Sequence, residues 1–307
     1  MTHRVAVLGA SGFVGAAVAE ALQHRGADVT RMPAPRLRTQ ARSARGLRLE
    51  THGETVDFLA AQIKGATAVV IAAGLADASA GDADGLYGAN SLLPELVARA
   101  VEKVQATDRS VVRLVHVSSA AVQGRARQLD ETRATAPFSP YSKSKALGEE
   151  MLAGHKDTVI FRPTSVHGPG RSVTRRLASL LRSPLASVAG SGDAPTPQVL
   201  VSNVGDAIAF VALVEGAPPA VVLQPDESLT TASLVRIVGG REPRHVPTSV
   251  ARGLVSVMML IGRGSGRAAG VGRRLEMLWF GQDQVEGWLR TAGWKPVAGQ
   301  DGWGRLV

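Results

Sequence analysis

The chain has 307 residues, 45% of them apolar and 20% charged, enough to bury a core of domain size and too apolar for a disordered segment. It has no cysteine, which excludes disulfides, a cysteine nucleophile and thiolate metal sites, and no metal is expected. The net charge of +9, from 35 Lys+Arg against 26 Asp+Glu, admits an anionic partner, yet aromatic residues are only 4% of the chain, which argues against base stacking and nucleic acid.

The chain enters the apolar run VAVLGA directly, without the basic start and cleavage site of a secretory leader, so a cytoplasmic protein is expected. β-rich runs predict strands over 4–8, 28–31, 68–72, 111–117 and 158–161, and apolar residues at three- and four-residue spacing predict helices over 12–25, 55–64, 90–105 and 141–153. Regular alternation of this kind implies an α/β fold with a doubly wound parallel sheet. Beyond residue 168 the alternation breaks into Gly/Pro/Ser-punctuated segments. Residues 1–168 are therefore expected to form the main domain and 169–307 mainly a smaller mixed α/β lobe, some segments of which return to the sheet. No run reaches the roughly 18 apolar residues of a membrane span. The apolar stretch 250–261 is expected to be a core helix of the lobe rather than an interfacial one, because it lacks a strongly basic opposite face. Residues 262–272, GRGSGRAAGVG, are expected to be a linker or loop, and Trp279, Phe280, Trp288 and Trp294 to be core or lobe-closing residues.

Three motifs carry chemistry. In VAVLGASGFVG, Gly9, Gly12 and Gly15 fall at a strand-to-helix junction, where bare backbone lets a pyrophosphate approach the N–H groups of the helix N-terminus. In YSKSK, Tyr141 and Lys145 stand four apart on a predicted helix and share a face. With two tyrosines and six lysines in 307 residues, chance gives such a pair with a probability of roughly 4%. VHVSSAAVQG ends a strand on Ser118 and Ser119, where open α/β sheets meet their ligands. The run 29–49 has six arginines (Arg31, Arg36, Arg38, Arg42, Arg45, Arg48) and no acid, read as a solvated loop or as a site for a phosphorylated small molecule.

Taken in order, GASGFVG, VSSAAVQG, SPYSKSK and RPTSVHGPG resemble the extended short-chain dehydrogenases/reductases, the NAD(P)-dependent epimerase/dehydratase group, over residues 2–206. Asn90, the ALGEE run and the weaker VSNVGDA segment belong to the same pattern. The resemblance implies an NAD(P)-binding Rossmann domain over 1–168 and a substrate-binding lobe mainly over 169–307. It makes Tyr141 the acid/base, Lys145 its electrostatic partner and ribose ligand, and Ser119 the hydroxyl that orients the reacting oxygen. It also places Ser11, Phe13, Val14, Ala72, Ala73, Pro163 and Val166 beside the cofactor, and Ala120, Gln123, Ser165, His167, Arg171 and Gln198 toward the substrate.

The chain departs from the family pattern at Gln123 and His167, where tyrosine is common, and at Ser165, where many nucleotide-sugar enzymes have asparagine. Absence of Asp and Glu directly after Ser119 argues against the 4,6-dehydratase branch. Asp130 and Glu131 are expected in a solvated loop or cap. The predicted second strand ends without the acid that would accept bonds from the adenine ribose and offers Arg31 and Arg36 instead, so NADP(H) is expected over NAD(H). The resulting expectation is NAD(P)-dependent oxidation, reduction or epimerisation at a hydroxyl/carbonyl carbon of a small molecule, foremost a nucleotide sugar. A reductase of a non-sugar ketone and a cofactor sensor without turnover are the alternatives. The resemblance also implies a homodimer.

Overall fold

Alternating β-branched side chains build the centre of the molecule. The computed structural model describes residues 3–76, 82–262 and 266–306. Its main sheet contains β1 (Arg4–Leu8), β2 (Asp28–Met32), β3 (Ala68–Ile71), β4 (Arg113–Val117), β5 (Thr158–Arg162) and β6 (Val221–Leu223). Every pairing is parallel, in the order β6-β5-β4-β3-β1-β2. The register sets Arg4 beside Asp28 and Leu8 beside Met32 on one side of β1, and Val5 beside Ala68 on the other. Strand order reverses between β1 and β3, the switch point at which such sheets open a crevice.

Period-two alternation divides the strands between two cores. Ala6, Leu8, Val69, Ile71 and Leu114 pack with α2 (Gly53–Ile63), α3 (Leu93–Asp108) and α4 (Pro140–Leu152). Val5, Val7, Val70, Val115, Val159 and Phe161 face α1 (Phe13–His24) and α5 (Val201–Leu213) on the other side. Both α5 and β6 belong to this doubly wound unit although they lie beyond residue 168. The predicted strands match β1–β5 closely. The fourth starts at Arg113 rather than 111, because Val111 is 73% exposed and pairing begins only at Arg113. The predicted helix 90–105 is α3 preceded by a π-helical turn, Gly88–Leu92.

The remaining segments form a lobe around Leu181, Val188, Leu234, Val235 and Trp303. Two expectations are corrected there. Residues 266–272 are helical, not a linker: α6 (Thr248–Gly262) and α7 (Gly266–Phe280) form a helical hairpin, and residues 263–265 of that expected loop lie outside the described ones. Glycine at 272 permits the crossing, since a Cβ there would meet Met259 Sδ at 3.2 Å and Met258 Cβ at 3.4 Å. Nor is the stretch 250–261 wholly core: Ala251 and Val255 are buried against Trp279, but Val250, Leu254, Val257, Leu260 and Ile261 are exposed. Trp279 and Trp294 are buried as expected, with Phe280 and Trp288 packed partly against the core. Among the described residues, no helix is long and apolar enough to cross a membrane.

Candidate active site

The carboxyl ends of β3, β4 and β5 and the start of α1 converge on one cavity of about 380 Å³. After β1 the chain turns at Gly9, whose φ is +80° and whose N–H donates to Met32 O at 3.0 Å. A Cβ on Gly9 would lie 2.7 Å from Ala73 backbone, and one on Gly15 would lie 2.1 Å from Gly9 O. Only bare backbone fits this turn. Gly12 caps α1 without a side chain, so the first N–H groups of the helix keep no capping acceptor and face the crevice, an arrangement suited to a phosphate. Val14 and Ala72 line the cavity, Ala73 packs under Gly9, and Ser11 is exposed at the tip of the turn.

Ser119, Tyr141 and Lys145 line the same cavity. Ser119 ends the β4 loop and accepts Ala121 N–H at 3.2 Å. Tyr141 is the second residue of α4, whose start is fixed by the Ser139–Ser142 capping box and Pro140. Lys145 follows one turn later, fully buried, and its Nζ donates to Val117 O at 2.9 Å. Burial lowers the Lys145 ammonium to about 8, with Glu149 opposing the shift. Burial raises the Tyr141 phenol above its usual value, while the Ser119 hydroxyl and the Arg171 guanidinium pull it back. Arg171 lines the cavity, stacks over Phe13 at 4.8 Å from the ring centroid and donates to Val166 O.

Behind these residues lies a buried polar network that sequence reasoning did not assign. Glu149 receives both Arg162 Nε at 3.0 Å and Arg162 Nη2 at 2.6 Å, and the same carboxylate accepts the Ser118 hydroxyl. Arg162 also donates to Thr132 O at 2.7 Å. Asn90, in the π turn, exchanges bonds with Leu75 N and O and reaches Ser144 Oγ at 3.0 Å, tying α3 to α4. His116 on β4 is fully buried with neither ring nitrogen hydrogen-bonded; burial and the nearby Lys145 charge hold it well below its usual value. Thr164 Oγ1, in the cavity wall, likewise has no protein partner.

Not every expected site residue faces the cavity. Ala120, Pro163, Ser165 and Val166 do. Gln123 does not: its amide donates to Asp130 Oδ1 at 2.6 Å and its carbonyl accepts Asp130 N–H. His167 and Gln198 bond each other at 2.6 Å, His167 also meets Ser165 Oγ at 3.0 Å, and both are buried on adjacent short strands away from the cavity. Burial lowers His167 to about 4, so the ring is neutral near pH 7. Asp130 lies half-buried in a loop, where it fixes Gln123 and Thr132, and Glu131 meets the cap expectation: it accepts Trp288 N–H, at the first residue of the helix Trp288–Thr291, and Leu223 N–H, each at 2.9 Å. Arg31 is exposed near the end of β2 and Arg36 is exposed in the loop after it; Arg31 reaches Gln23 Oε1, at 3.1 Å, and Arg36 pairs with no carboxylate among the described residues. In the same run, Arg38 and Arg42 are neutralised by Asp82 and Asp84. Sequence reasoning missed Phe138, Arg273, Met277 and Gln282 in the wall; the last three sit on or just after α7, whose glycines hid the helix.

Comparison with known proteins agrees with this geometry. No curated protein matches the chain in sequence. Among solved structures the fold is similar to Bacillus cereus UDP-glucuronic acid 4-epimerase in complex with NAD (TM-score 0.63, 14% identity, 98% of this chain and 94% of that one). It is also similar to Bacillus anthracis dTDP-4-dehydrorhamnose reductase in complex with NADP (0.62, 16%, 100% and 98%). A human epimerase family protein with NADPH aligns at 0.66 and 20% identity over 99% and 98% of the two chains. The model of the NAD dependent epimerase/dehydratase family matches residues 5–222, from β1 into β6 and across every strand end that meets the cavity, and the chain belongs to that family.

Proposed function

We propose that the protein is a nicotinamide-dependent oxidoreductase or epimerase acting on a hydroxyl/carbonyl carbon of a nucleotide sugar. The observation that carries this reading is the meeting of Ser119, Tyr141 and Lys145 in one cavity beside the glycine turn. The turn fits a dinucleotide, because Gly9 and Gly15 let the chain close tightly on its own backbone ahead of α1, whose first N–H groups have no side-chain cap. Gly9, Gly12 and Gly15, with Ser11, Phe13, Val14, Ala72, Ala73, Pro163 and Val166, would hold it. When bound, a nicotinamide cofactor supplies the hydride donor or acceptor.

The protein's own part is proton transfer and orientation. The raised phenol of Tyr141 is protonated at neutral pH and can give its proton to a carbonyl oxygen during reduction. In the reverse direction it must accept a proton as phenolate, and the Arg171 guanidinium favours that form, to which the Lys145 ammonium in the same cavity would add. Ser119 Oγ holds the reacting oxygen beside the phenol. Residues 1–168, with α5 and β6, would serve the cofactor, and the rest of 169–307 the substrate.

The finer assignment is NADP(H) over NAD(H), supported by the two exposed arginines, one near the end of β2 and one in the loop after it, and by the lack of an acid at that strand end. Fluorescence titration is expected to give a lower Kd for NADPH than for NADH, and Arg31→Ala with Arg36→Ala to remove the difference. Equal affinities in the wild type reject the preference. The resemblance to the two Bacillus enzymes supports the nucleotide sugar as substrate. Calorimetric titration with UDP-, dTDP-, GDP- and CDP-sugars in the presence of cofactor tests it. A second reading, reduction of a non-sugar ketone, is favoured by the apolar wall of Leu75, Leu129, Phe138, Val173 and Met277 and by the engagement of Gln123, His167 and Gln198 elsewhere. Failure of every nucleotide sugar to bind moves that reading to first place. The same proposal carries a cytoplasmic homodimer, which light scattering on the purified protein tests.

A further inference from the structure

Helix α6 is apolar on two sides and covered on one. Ala251, Val255 and Met259 follow an i, i+4, i+8 stripe that packs against Trp279, Phe280 and Leu275. About 100° around the helix, Val250, Leu254, Val257 and Ile261 follow i, i+4, i+7, i+11. These four side chains are 51%, 49%, 55% and 63% exposed, and Leu260 beside them is 61% exposed. Exposed large apolar residues elsewhere in the described chain occur as ones and twos on separate segments; five on a single helix make a continuous patch.

Charge selects what would cover it. From Glu242 to Glu276 the sequence runs without an acidic residue between them and contains Arg244, Arg252, Arg263, Arg267 and Arg274, besides Arg273, which is buried and paired with Glu276. In a two-fold dimer across this face, the same one-signed segment would meet itself. An anionic lipid surface complements a segment of this composition, taking the apolar stripe between the headgroups.

We propose that the α6–α7 hairpin is an interfacial membrane-docking element, with the outer stripe of α6 lying in the surface of an anionic bilayer. The contact is peripheral, since no described helix is long and apolar enough to cross. It stands independently of the reaction assigned to the cavity. The covered stripe of Ala251, Val255 and Met259 explains why the sequence pattern reads as a core helix.

The test is co-sedimentation of the full chain with vesicles of phosphatidylcholine alone or mixed with phosphatidylglycerol. The wild type is expected to sediment with the mixed vesicles, to stay in solution with pure phosphatidylcholine, and to be released by high salt. The double variant Leu254→Glu, Ile261→Glu is expected to lose at least about tenfold of the bound fraction. Its thermal unfolding and NADPH titration should match the wild type, because both side chains are exposed and lie outside the cavity wall. Wild-type protein that remains in solution with mixed vesicles overturns the proposal. So does a variant that sediments as well as the wild type, or a wild-type dimer by light scattering that the variant dissociates, which would assign the stripe to a second copy.

Discussion

Along β1 and β3 successive side chains enter opposite cores, and nearly all are buried. In the C-terminal lobe no strand exceeds three residues, and strands pair two at a time: Ser165–His167 with Gln198–Leu200, and Ser187–Ala189 with Arg244–Val246. What the lobe lacks in ladders it makes up with a carboxylate that collects donors. Glu227 accepts from Leu200 N at 2.7 Å, Asn203 Nδ2 at 2.7 Å and Trp303 Nε1 at 2.5 Å. A core built by periodicity is held by many equivalent contacts, whereas one built by point attachments concentrates its stability in a few residues.

The largest expected effect tests whether the sheet half also has a point of concentration. Glu149→Ala leaves Arg162, fully buried, without its partner and should cost about 3–5 kcal/mol in urea unfolding. A loss below about 1 kcal/mol would show that water or a neighbouring acceptor compensates, and that this half is tolerant throughout. Next comes the chemistry at the junction of the two regions. Tyr141→Phe should lower turnover by on the order of 10² or more with NADPH affinity nearly unchanged, whereas Lys145→Ala should damage both. Near-normal turnover in Tyr141→Phe removes the phenol from the reaction.

In the lobe, Trp303→Phe deletes one donor to Glu227, whose carboxyl burial already pushes up. It should cost about 1–3 kcal/mol, with hydrogen exchange rising in the lobe before the sheet. Uniform exchange would mean that the two regions unfold as one. The smallest effect is a pH dependence. Lys145 is lowered from 10.5 to about 8 on folding, so between these values the unfolded chain binds more protons and stability from this group rises with pH. NADPH affinity should fall around the folded value of about 8, where the ammonium is lost. In Lys145→Arg, the guanidinium keeps its charge and the fall should disappear.

The contrast between the regions also explains what could be read in advance. Strands of five residues such as Arg4–Leu8 declare themselves by apolar continuity between turn residues, and a Tyr–Lys pair one helical turn apart declares its shared face. Val221–Leu223 does not, because three apolar residues flanked by prolines at 218, 219 and 225 are too few to show a period. The glycines of 262–272 suggested a break in the chain, yet Gly272 serves the approach of two helices. In the site, residue type located Gln123, His167 and Gln198 near the end of the sheet. It could not show that their polar atoms bond one another or Asp130 and are unavailable to a ligand. The wall supplied by Arg273, Met277 and Gln282 comes from more than a hundred residues away, through a tertiary contact that no local pattern encodes.

The bonds of Glu131 bear on what happens at the rim of the main sheet. As the last strand, β6 has one side without a neighbour, and alternate residues there turn their backbone groups outward. Glu131 takes the outward Leu223 N–H with one carboxylate oxygen and the Trp288 N–H with the other. A backbone donor that could pair with a strand from another chain is thereby occupied by a side chain of the same molecule, a guard against end-to-end polymerisation that Glu131→Ala would remove.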